Sequence, residues 1–102
     1  MKDQIVMKVM SVRGEVLLAA ADKSLLGTTL RERNLHLEVS ESFYGDMKVS
    51  EETFLSALGI CTIANLVGKQ VVNLAIREGF VDPENVITIS GIPHAQYAQM
   101  SV

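Results

Sequence analysis

Ile5-Val6-Met7-Lys8-Val9-Met10, then Arg13-Gly14, then Glu15-Val16-Leu17-Leu18-Ala19-Ala20-Ala21: these runs decide the fold. In the first, Ile5, Met7 and Val9 alternate with Val6, Lys8 and Met10, apolar on nearly both faces, as in a well-covered strand. Arg13-Gly14 breaks the pattern and Glu15 to Ala21 resumes it, which predicts a β-hairpin. Beyond the hairpin, Asp22 is placed to cap a short helical turn through Lys23-Ser24-Leu25-Leu26, stopped by Gly27. Leu35, Leu37 and Val39 then alternate with His36, Glu38 and Ser40, a half-exposed strand with His36 on its solvated face.

Helical signals begin at Ser50, an N-cap followed by Glu51 and Glu52, where the helix dipole favours negative charge. Phe54, Leu58 and Cys61 share one stripe of that helix. A second helix is predicted from about Lys69 to Glu78, burying Val71, Val72, Leu74, Ala75 and Ile76, with Gly79 as its stop. Asp82-Pro83-Glu84-Asn85 reads as a turn and Val86 to Ile89 as a last strand. The order implies an α+β domain: a small mixed or antiparallel sheet with an N-terminal hairpin and two helices packed on it.

At 102 residues there is room for one domain, residues 1–102, and a second core would be too small to hold. Only 5% of the residues are aromatic, so the core must be aliphatic, with five methionines as adaptable filler. The 48% hydrophobic content and mean hydropathy of +0.26 are high for so small a domain. That excess predicts a surface covered by another subunit, hence a homo-oligomer. The longest aliphatic run, Val16 to Ala21, is far short of the roughly 18 residues of a membrane span. No signal-peptide pattern opens the chain at Met1-Lys2-Asp3-Gln4. The single Cys61 and two histidines give no disulfide and no metal-ligand spacing, and nothing implies a cofactor. Cys61, between Ile60 and Thr62-Ile63, reads as a buried small residue, and the chain reads as cytoplasmic.

Residues 51–102 carry Lys69 and Arg77 against five acidic side chains, whereas residues 1–50 balance seven against seven. A basic face for nucleic acid would therefore have to come from the first half, from Lys2, Lys8, Arg13, Lys23, Arg31, Arg33 and Lys48.

Three constellations are candidates for chemistry. Gly91-Ile92-Pro93-His94-Ala95-Gln96 is too particular for strand or helix filler: Pro93 fixes the backbone, and His94 and Gln96 present an imidazole and an amide close together. Purely structural use, binding and catalysis are all open to it, catalysis having the least support because no nucleophile context adjoins. Asn65-Leu66-Val67-Gly68-Lys69 leads into the second helix, where unpaired N–H groups attract anions. It is not a phosphate-binding loop, since Gln70 follows the lysine, and a glycine at such a helix junction more often serves geometry alone. Glu38 and Glu41 form an acidic pair at a strand exit, better read as solvated than catalytic, and Phe43-Tyr44 as a lid over the edge of the core.

At these segments the chain resembles the archaeal domain-of-unknown-function 424 family. The matching stretches are Glu38-Val39-Ser40-Glu41 with Phe43-Tyr44-Gly45, Ala64 to Gly68, Gly79 to Ile87, and Gly91 to Gln96. The resemblance implies an archaeal cytosolic protein, associates it loosely with RNA or the translation machinery, and carries over no catalytic residue.

Three readings of function follow. The leading one is a non-catalytic binding module, partnered by RNA or a translation-machinery protein, with Asn65, Gly68, Lys69, His94 and Gln96 as one recognition surface. The second is a small-molecule enzyme with His94 as general base and an anion site at Gly68/Lys69. The third is an oligomeric interaction subunit. The balance leans away from an enzyme.

Overall fold

The structure, a computed structural model, describes residues 4–99. Residues 1–3, on which the signal-peptide reading and Lys2 of the basic face fall, lie outside the described residues. Strands β1 (Ile5–Val12) and β2 (Glu15–Asp22) form the expected hairpin, paired from Ile5↔Asp22 to Val12↔Glu15. Their two-residue turn has φ of 51° at Arg13 and 82° at Gly14, the twist-matched hairpin geometry that glycine accepts at no steric cost. A 3-10 turn at Lys23–Leu25 leads to a second hairpin, β3 (Thr29–Glu32) and β4 (Leu35–Glu38). There follow α1 (Glu41–Tyr44), β5 (Met47–Val49), α2 (Glu51–Ile60), β6 (Ile63–Val67) and α3 (Lys69–Arg77). A 3-10 turn at Pro83–Asn85 precedes β7 (Ile87–Ile89) and β8 (Ile92–Ala98).

The main sheet has six strands in the order β5-β1-β2-β6-β8-β7, and β3-β4 form a separate pair. β2 and β6 run parallel and the other neighbours antiparallel, so the sheet is mixed. The fold is the expected α+β class, with one difference of consequence. Asn65 to Lys69, read above as leading into the second helix from a helix junction, begins instead in a strand: its first three residues belong to Ile63–Val67, in the middle of the sheet. Ala64, Leu66 and Val67 are fully buried, whereas Ile63 is exposed and Asn65 half-buried; an isoleucine at the exposed end and a buried valine on the same face leave the five residues without the polar–apolar alternation that announces a strand. The second hairpin's first strand, β3, was not anticipated either.

Gly91 to Gln96 is likewise no loop, since Ile92–Ala98 is a strand between β6 and β7. Pro93 is tolerated there because its carbonyl accepts from the Gly68 amide at 2.9 Å. In a strand a residue's N and C=O face the same side, so the missing N–H faces Gly68, one residue past the end of β6.

One face of the sheet carries Ile5, Met7, Leu18, Ala20, Ala64, Leu66 and Ala95 against the apolar sides of α2 and α3. Phe54 and Leu58 of α2 and Val71, Val72 and Ala75 of α3 are fully buried in this layer. α2 starts as expected, the Ser50 hydroxyl accepting from the Thr53 amide at 3.1 Å. Cys61 is buried as expected, and burial raises its thiol pKa. The opposite face packs Val6, Ala19, Ala21 and Val67 beneath Leu30, Val39 and Tyr44, from the second hairpin and α1. That cover is partial, and the uncovered part of this face holds the candidate site. Among the described residues no helix is long and apolar enough to cross a membrane.

Candidate functional site

Because β6 and β8 are neighbours, Asn65 lies opposite Gln96, and Val67 opposite His94. The two segments singled out in the sequence therefore adjoin, side by side in one sheet. The Asn65 Oδ1 accepts two hydrogen bonds, from the Tyr44 hydroxyl at 3.0 Å and from His94 Nε2 at 3.0 Å. Tyr44 is 1% exposed, and burial pushes its pKa up to about 12, so the hydroxyl remains a donor. His94 is partly buried, and desolvation lowers its pKa, which favours neutral imidazole with the proton on Nε2. With its oxygen held by two donors, the Asn65 amide has one orientation, and Asn65 is one of the residues that line the adjoining groove.

That groove follows from strand register. Lys8 pairs with Ala19, Ala19 with Asn65, and Asn65 with Gln96, a single row across four strands. The next row, Met10, Leu17 and Ile63, completes an apolar floor. Phe43 of α1 makes a wall, 42% exposed, its ring packed edge-on against Tyr44 at 4.8 Å. Lys8 Nζ donates to the Ser42 carbonyl at 2.8 Å, which holds the ammonium beside α1. The cavity is about 220 Å³. It offers a flat apolar bed, an exposed ring, the fixed amide of Asn65, the exposed amide of Gln96 and one cation.

The other half of the predicted surface is placed differently. β2 and β6 are parallel, with Ala21 opposite Val67, so Asp22 arrives beside Gly68 at the start of α3. The Gln70 amide donates to Asp22 Oδ2 and the Val71 amide to Asp22 Oδ1, each at 3.0 Å. The donors required for an anion at Gly68/Lys69 are thus taken by the chain's own carboxylate, which corrects that part of the enzyme reading. Asp22 also makes no side-chain cap on the turn that follows it, contrary to expectation. Gly68 has φ of 121° and is buried under this carboxylate: a Cβ there would come within 2.6 Å of both Asp22 oxygens. Lys69 lines a separate groove with Glu51, Asn73 and Arg77 along the helices. Asn65, His94 and Gln96 therefore stand together, without Gly68 or Lys69. Glu38 and Glu41 are both exposed, Glu41 in the first turn of α1.

Tyr44, Phe43 and Lys8 are the members that sequence reasoning did not assign to a site. The available signals were a tyrosine hydroxyl that needs a partner once buried, and a lysine within an otherwise apolar strand.

The lowered His94 pKa makes stability pH-dependent. The unfolded chain takes up the proton near pH 6.5 and the folded protein only at lower pH. Stability is therefore unaffected by this group above that value and falls as pH drops through it, by at most about 1.4 kcal/mol per pH unit for one proton. Urea unfolding between pH 8 and pH 5 should show this loss, and His94→Gln should flatten it.

Among solved structures, the chain is similar to an uncharacterized conserved protein from Methanopyrus kandleri. The TM-score is 0.80 at 18% sequence identity, over 97% of this chain and 96% of that one, a likeness of fold. No curated protein matches the chain. Residues 10–100 match the family described as "Protein of unknown function (DUF424)", a span that takes in the groove, the Tyr44–Asn65–His94 cluster and the Asp22 cap apart from Lys8; the chain belongs to that family.

Proposed function

We propose that the protein is a non-catalytic binding module whose groove takes one unpaired base of single-stranded RNA. The observation that carries this reading is the Asn65 amide, locked by Tyr44 and His94 beside the exposed Phe43 ring. A base stacked on Phe43 would offer acceptors to Asn65 Nδ2 and either kind of partner to Gln96, with a flanking phosphate near Lys8. At about 220 Å³ the groove is smaller than the roughly 300 Å³ at which drug-sized pockets begin, which suits a single flat group. A base paired within a duplex could not enter it. Catalysis is the weaker reading because His94 Nε2 is already engaged with Asn65.

Fluorescence anisotropy with short single-stranded RNA homopolymers tests the proposal. One nearby cation on an acidic chain predicts weak binding with a shallow salt dependence, a slope of about −0.7 for each phosphate engaged. Phe43→Ala should weaken it roughly tenfold through lost stacking. Undetectable binding at low salt, or an affinity indifferent to Phe43→Ala, would overturn it.

A further inference from the structure

We draw no further inference here: the strongest candidate, the groove between α2 and α3 lined by Glu51, Lys69, Gln70, Asn73 and Arg77, carries none, because Glu51 and the Arg77-bonded Glu78 offset its two cations and nothing in the structure shows what covers it.

Discussion

Gly68→Ala should cost about 3 kcal/mol, and lower the melting temperature of a domain this size by about 15 °C. Two effects combine. At φ 121° and ψ 153° the backbone occupies a region open essentially to glycine, a strain of about 1–3 kcal/mol for any other residue. The new Cβ would also press on the Asp22 carboxylate and dislodge it from the Gln70 and Val71 amides, a cap worth about 1–2 kcal/mol. Asp22→Ala alone should cost at least the cap. In that background Gly68→Ala should cost less than in the wild type, because its clash partner is gone. Strict additivity in the double-mutant cycle, read by urea unfolding, would mean that Gly68 answers to backbone strain alone.

The second large effect is expected at Asn65. Asn65→Leu leaves the buried Tyr44 hydroxyl and the His94 Nε2 proton without their acceptor, a loss of about 2 kcal/mol or more. Adding Tyr44→Phe should recover part of it, since deleting both partners of a buried hydrogen bond is far cheaper than deleting one. The groove separates stability from recognition. Asn65→Leu should reduce RNA affinity at least roughly tenfold, and the stability rescue by Tyr44→Phe should not bring that affinity back. An Asn65→Leu variant of unchanged stability would refute the structural role of the cluster, and one of unchanged affinity its role in binding.

Features written in neighbouring residues were legible in advance. The Arg13-Gly14 hairpin, the Ser50 cap, the span of α3 and the Asp82 turn each depend on a few adjacent side chains. Where the sequence misled, a distant contact had decided the outcome. Ile63–Val67 carries apolar residues on both faces, Ala64 and Leu66 on one and Ile63 and Val67 on the other, although the second face is only partly covered, so its period is hard to read. Pro93 argued against a strand, and only the end of β6 at Gly68 makes it acceptable in one. Asp22 was expected to cap its own neighbours, yet it caps a helix 48 residues away, which parallel pairing alone brings near. The site was legible by halves: Asn65, His94 and Gln96 were named from the sequence and do come together. Tyr44, which fixes the Asn65 amide, reaches it from a different layer of the fold.

The Asp22 cap also bears on the order in which the protein assembles. The β1–β2 hairpin closes over a two-residue turn, whereas the cap on α3 must wait until β6 has docked against β2 across some forty intervening residues. The start of α3 is then among the last parts of the chain to become ordered. Stopped-flow measurements on Asp22→Ala and Gly68→Ala should accordingly find their cost almost wholly in faster unfolding, with the refolding rate little changed. The joint between β2 and α3 is thus a brake on opening, set after the rest of the sheet has formed.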